Sequence, residues 1–219
     1  IQFPAYNPTN AEKLSVISVG GYGRREMAPY SDVDLLFLTP YKITPWAETV
    51  IETVLYLLWD LKLKVGHSSR TIRDCLRMGN EDYTIRTAML EHRFVCGDIG
   101  LASELNEKLW KNLFDGTAKE FISAKLKERE NRHKKHGQRY MVEPNIKEGK
   151  GGLRDLQSLY WIAKYVYQTQ NISDLIELNV FRSDEHEQFD KAEEFLWAVR
   201  CQMHHLADRA IEQLSFDLQ

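Results

Sequence analysis

The chain has 219 residues, of which 43% are hydrophobic and 28% charged, with a formal net charge of -3. That suffices for one large domain or two small ones with a sizeable core, and it excludes a global electrostatic pull toward nucleic acid or an anionic membrane. No apolar run reaches membrane-spanning length and no signal peptide opens the chain. Three scattered cysteines, Cys75, Cys96 and Cys201, read as reduced thiols of a cytoplasmic protein, not as a disulfide framework or a zinc site. The abrupt start at Ile1, without an initiator Met, reads as a piece cut from a longer protein.

Residues 1–13 carry Pro4, Asn7, Pro8 and Asn10 and read as a linker. A first strand is expected over Leu14–Val19, then a glycine turn with a short helix, then a strand over Val33–Leu38. Strand side chains alternate, so Asp32 and Asp34 share one face, and Val33, Leu35 and Phe37 share the other and pack inward. Two like charges side by side cost energy unless a cation lies between them, so the pair invites a metal ion, and its hard oxygen ligands suit magnesium. Gly20, Gly21 and Gly23 let backbone N–H groups approach a phosphate, with Arg24 and Arg25 as counter-charges. The plainer alternative is a glycine turn beside a strand that carries two solvated aspartates. The glycine pair upstream, with S-D-V-D-L-L running into apolar residues, resembles the layout of the nucleotidyltransferases, and that resemblance favours the phosphate and metal reading.

Thr44 caps a helix over Pro45–Trp59 with Pro45 in its first turn. Its apolar band, Trp46, Val50, Ile51, Val54, Leu55 and Leu58, is wide enough to be buried against a sheet. Leu61, Leu63 and Val65 alternate with lysines, which predicts a half-exposed strand. Asp60 stands at its start, either as a third carboxylate or as a helix-end residue. His67 and Arg70 lie at the strand's far end; a lone histidine is more often structural, but one beside Ser68 and Arg70 there could reach a nucleotide.

Beyond Thr71 the pattern is helical, with segments over Thr71–Met78, Tyr83–Phe94, Leu101–Phe114 and Thr117–Arg132. The basic run Lys125–Lys135 reads as a solvated helix face, and His133 and His136 make a poor metal site without an acid. Three glycines in four positions, Gly149, Gly151 and Gly152, then open a helix whose N-terminus can hold an anion. Lys147, Gly151, Gly152 and Arg154 are the candidate nucleotide contacts there, against the alternative of a simple helix-initiating turn. Leu156, Leu159, Tyr160, Ala163, Val166 and Tyr167 form an expected core stripe. A last helix over Asp184–Leu206 has a stripe of Phe189, Ala192, Leu196, Val199, Met203 and Leu206. His204 and Asp208, one turn apart, read as structural or interface residues.

Three blocks occur in order: G-G-Y-G-R with S-D-V-D-L-L, then L-L-W-D-L-K-L-K-V-G-H-S-S-R-T, then E-P-N-I-K-E-G-K-G-G-L-R-D-L-Q. Together they resemble the bifunctional PII uridylyltransferase/uridylyl-removing enzymes over nearly the whole chain. Arg25 departs from that family's pattern, which has glycine there. The resemblance implies an α+β fold. Residues 1–98 would form a DNA polymerase β-like nucleotidyltransferase domain, a small mixed sheet with helices. Residues 99–219 would form an all-α uridylyltransferase-associated domain. It implies transfer of UMP from UTP to a tyrosine of the signalling protein PII, with Mg2+ as cofactor, and Asp32, Asp34 and, as a candidate, Asp60 as metal ligands. The family's HD and ACT domains are absent from these residues. The alternatives are a related adenylyltransferase and a catalytically silent piece that only docks PII.

Overall fold

A computed structural model describes residues 12–136, 142–169, 174–178, 180 and 182–218. The linker expected over residues 1–13 falls almost wholly outside them. The first unit is built from the chain up to Met27 and from Ser31–Gly116, and the second from Ala28–Tyr30 and the chain from Thr117 onward.

Four strands organise the first unit: β1 (Ser15–Ser18), β2 (Val33–Thr39), β3 (Val65–Thr71) and β4 (Arg93–Gly97). Their order across the sheet is β3-β2-β1-β4. β1 runs antiparallel to β2 and β4, while β2 and β3 are parallel. A parallel pair needs a crossover, and the helix α2 (Pro45–Asp60) supplies it. Thr44 caps that helix, its hydroxyl accepting from Ala47 N at 3.2 Å, with Pro45 in the first turn. The band expected on α2 packs as a set: Ile51 and Leu55 join Leu14, Leu35 and Phe37, flanked by Trp46, Val50, Val54, Leu58, Val16 and Val33.

The run after Asp60 does not form the expected strand. Lys62 takes a left-handed conformation with φ of 60°. Its N–H reaches Trp59 O at 2.8 Å, and Leu63 N reaches Leu58 O at 3.1 Å. This paired closure satisfies the last carbonyls of α2. The alternation of Leu61 and Leu63 therefore belongs to a helix stop, and the strand begins only at Val65.

α3 (Ile72–Glu81), α4 (Tyr83–Leu90) and α5 (Ile99–Leu109) follow, with a π-helical turn at Trp110–Phe114. Although residues 99–116 are assigned from sequence to the helical segment, α5 packs on β1, β2 and β4 and belongs to the first unit. Ile17, Leu36 and Leu38, on the sheet face away from α2, are fully buried. The thiol of buried Cys75 is pushed up to about 12 by burial, and all three cysteines are free.

The second unit contains α6 (Ala118–His136), α7 (Leu153–Tyr167), α8 (Asp174–Glu177) and α9 (Ser183–Ala207). The side chain of His136 is outside what the structure describes. The buried face of α7 is rotated from the expected stripe. Leu153, Gln157, Trp161 and Tyr165 are buried, while Leu159, Val166 and Tyr167 are exposed. Aromatic packing decides the rotation: the Tyr165 ring stacks on Phe121 at 4.0 Å, and the Lys125 amine lies 5.2 Å over Trp161. On α9 the stripe is only partly covered, with Met203 buried and Leu206 exposed. His204 is fully buried, 3.9 Å from Glu212. No described helix is long and apolar enough to cross a membrane.

These features make an α+β architecture, a small mixed sheet with helices followed by a helical region. Two predictions follow from its backbone and burial. Arg25 ends the short first helix in the left-handed region, with φ of 68°. A side chain there costs about 1–2 kcal/mol, while glycine loses about 0.5–1 kcal/mol more entropy on folding. Arg25→Gly should therefore stabilise the protein by up to about 1 kcal/mol in chemical unfolding, and a loss of stability would show that the Arg25 side chain is needed. Burial, helped by the positive charges of Arg200 and Lys147 and opposed by Glu212, holds the His204 pKa below its ordinary 6.5. The stability this contributes is complete above about pH 6.5 and drains away as pH falls, because the unfolded chain takes up the proton more readily. The thermal midpoint should fall more steeply from pH 7 to 5.5 in the wild type than in His204→Gln; parallel curves would contradict the assignment.

Candidate active site

The first turn of the chain after β1 is the five-residue helix α1 (Gly20–Arg24), and it leads back into β2. Val19 N donates to Asp34 O at 3.1 Å, which fixes the start of α1 beside the D-x-D strand. Asp34 is half-buried, and its two carboxylate oxygens lean toward two glycines. A Cβ built on Gly20 would stand 3.0 Å from Oδ2, and one on Gly66 would stand 2.4 Å from Oδ1. The carboxylate therefore occupies a cradle that a larger residue on either side would fill. Gly66 is level with Asp34 in the parallel β2–β3 register, and a glycine inside a strand is the mark of such a close approach. Asp32 lies just before β2 and is exposed, on the same face as Asp34 by alternation.

Arg24 does not reach outward as a phosphate counter-charge. Its side chain is only 8% exposed and is held by Glu26 at 2.7 Å and by Glu91, itself 3% exposed. Burial opposes its charge, but Glu91 and Glu26 outweigh burial and raise its pKa above the ordinary arginine value. A second arginine secures the same turn. Arg93 donates to the carbonyls of Tyr22 at 2.8 Å and Gly23 at 3.2 Å and lies over the Tyr22 ring. Gly23 packs so closely that a Cβ would meet Glu91 O at 2.1 Å. The turn of β1–α1–β2 is thus clamped onto the connection between α4 and β4.

The register sorts the other candidates. His67 is level with Leu35, on the α2 face opposite Asp34, and its ring stands edge-on to Trp59 at 6.3 Å. Arg70 is level with Leu38. It is on Asp34's face but four residues further along, about 13 Å. Asp60 ends α2 and is exposed. Among the described residues no three His, Cys, Asp or Glu side chains gather as a metal-holding group. Magnesium characteristically takes one or two protein carboxylates and completes its shell with water and substrate phosphates. Asp32 and Asp34, with the cradle at Gly20 and Gly66, fit that habit without a third carboxylate.

Lys147, Gly151, Gly152 and Arg154 lie in the second unit and are engaged there. The Lys147 amine is 3.5 Å from Glu212. Gly151 N donates to Asp155 at 2.8 Å, and Gly152 caps α7 where a Cβ would meet Ile146 O at 2.6 Å. Arg154 donates to Glu148 and Gln157 and lies over Trp161. The Asp155 carboxylate also accepts from Arg132 and stands 2.9 Å from His133 Nε2. Burial works against its charge, yet the Gly151 N–H, Arg132 and His133 keep it below the usual carboxylate range. The acid missing from the sequence reading of His133 is thus supplied from α7.

The Arg24 assignment has a direct test. Removing one partner of a buried pair strands the other charge, at a cost of about 3–5 kcal/mol. Arg24→Ala should lose about that much stability in denaturant titration, and adding Glu91→Ala should restore part of it. An Arg24→Ala protein of unchanged stability would show that the guanidinium is not a buried pin.

Comparison with known proteins adds an independent line. The family profile described as GlnD PII-uridylyltransferase matches residues 120–219. Bifunctional uridylyltransferase/uridylyl-removing enzymes align along almost the whole chain. The protein from Cereibacter sphaeroides is 64% identical over 99% of this chain and 23% of its own length. The one from Ruegeria pomeroyi is 62% identical over 100% of this chain and 24% of its own length, and the one from Rhodospirillum rubrum is 53% identical over 99% and 23%. The chain spans about a quarter of the length of the curated relatives it matches.

Proposed function

We propose, from the premise that this chain belongs to the GlnD PII-uridylyltransferase family, that its first unit carries out nucleotidyl transfer. The reaction is movement of UMP from UTP to a tyrosine hydroxyl of the PII protein, in the cytoplasm. The observation that carries this reading is the Asp34 carboxylate, set between Gly20 and Gly66 beside the start of α1, with exposed Asp32 two residues before it.

In this reading a bond forms between the tyrosine oxygen and the α-phosphorus of UTP. The bond from that phosphorus to the bridging oxygen breaks, pyrophosphate leaves, and the phenol's proton passes to water. A phenol with a pKa of about 10 is a weak nucleophile at neutral pH, and the triphosphate repels it. Magnesium, when bound, supplies the positive charge that offsets both. Asp32 and Asp34 would hold it, and so set the side from which the α-phosphate is approached. The N–H groups of Gly20 and Gly21, in the first turn of α1, meet the remaining phosphates. Arg24 and Arg93 act one step back, by holding that turn in place.

Each aspartate is tested by Asp32→Asn and Asp34→Asn, which keep shape and remove charge. Label from UTP should enter PII with the wild-type protein and magnesium. Either variant should be slowed by about 10²–10³-fold, the scale of losing a principal electrostatic contact in the transition state. Wild-type rates in both variants would overturn the assignment, and transfer from ATP in place of UTP would move the reading to an adenylyltransferase.

A further inference from the structure

The face of the sheet that carries Asp34 has a second charged residue besides Arg70, close to the aspartates, that the proposed reaction leaves unused. Val33 is level with Val65, and Val33 N donates to Lys64 O at 2.8 Å. Continuing that register by one residue sets Lys64 level with Asp32, just as Gly66 is level with Asp34. Alternation then places Lys64, Gly66, Asp32 and Asp34 on one face. Parallel strands lie about 4.8 Å apart, and alternate residues on a strand about 6.6 Å apart. A lysine amine on its flexible four-carbon stem spans either gap. Lys64 is exposed at the rim, and Asp34 Oδ1 lies against Gly66, two residues further along the same run. A neighbouring strand position beside two carboxylates is where a third acid would add to a metal site. Here that position is cationic.

We infer that Lys64 is a nucleotide-contacting residue. Without substrate its ammonium stays within reach of both carboxylates, and its charge weakens their hold on a divalent cation. With the nucleotide in place it turns to the α-phosphoryl oxygens, where negative charge rises as the tyrosine oxygen attacks. The inference rests on the proposed site for its second half. Its first half, competition with a cation, stands on the register alone.

The test uses Lys64→Met, Lys64→Glu and Lys64→Arg, at a position exposed enough for all three to fold. Free Mn²⁺ is titrated by electron paramagnetic resonance without nucleotide. Lys64→Met should bind the ion about threefold tighter than the wild type and Lys64→Glu at least about tenfold tighter, with Lys64→Arg unchanged. In steady-state transfer to PII, Lys64→Met should lose at least about tenfold in kcat with KM for UTP within about threefold, and Lys64→Arg should recover most of it. Wild-type Mn²⁺ affinity in both Lys64→Met and Lys64→Glu overturns the inference, whatever the transfer assay shows. Altered Mn²⁺ affinity in a protein that transfers no nucleotide would uphold the competition and count against the proposed reaction instead.

Discussion

The first unit depends on one buried ion pair. Arg24 and Glu91 come from a five-residue helix and from the end of α4, 67 residues apart in sequence, and both side chains are almost fully enclosed. A helix of that length has no stability of its own, because nucleation costs more than its few hydrogen bonds return. It is held from outside: by Arg24 on Glu91 and Glu26, by Arg93 on the carbonyls of Tyr22 and Gly23, and by the close contact of Gly23 with Glu91 O. A buried pair is a poor source of net stability but a strong penalty against any arrangement that separates its members. The pair therefore selects one position for α1, and that position sets Gly20 against Asp34.

Sheet register then distributes chemistry between two faces. Leu35 and Phe37 turn to α2 and take His67 with them, while Asp34, Leu36 and Leu38 turn away and take Gly66 and Arg70. Because strand period is two, a slip of one residue would bury Asp34 under α2 and expose Leu35. The enclosed cluster of Leu14, Leu35, Phe37, Ile51 and Leu55 resists that slip. The core thus fixes where the carboxylate points.

Local patterns in the sequence were sufficient for β1, the glycine turn, β2, the Thr44 cap and the α2 band, since each depends on residues close together in the chain. The side on which Asp34 lies followed from alternation alone. What was not legible came from distance. Nothing near Arg24 announces Glu91, so a buried pin reads from sequence as a phosphate ligand. The Leu61–Leu63 alternation has the strand period, yet its first half closes a helix through Lys62 in the left-handed region. On α7 the expected stripe has helical spacing, but stacking of Tyr165 on Phe121 turns the helix so that Trp161, not Leu159, faces inward. Lys147 and Arg154, basic residues in a glycine-rich loop, meet Glu212 and Glu148 in their own unit.

Gly66 is a residue whose importance the sequence signals on its own. A glycine inside a strand asks what approaches it, and the answer is the Asp34 carboxylate. That juxtaposition, and not the glycine turn by itself, is what the proposed transfer rests on. The most direct measurement is a crystal structure with magnesium and a non-hydrolysable UTP analogue. The account predicts the ion on Asp32 and Asp34 and the triphosphate along the first N–H groups of α1. Nucleotide bound elsewhere, with both aspartates free of the ion, would contradict it.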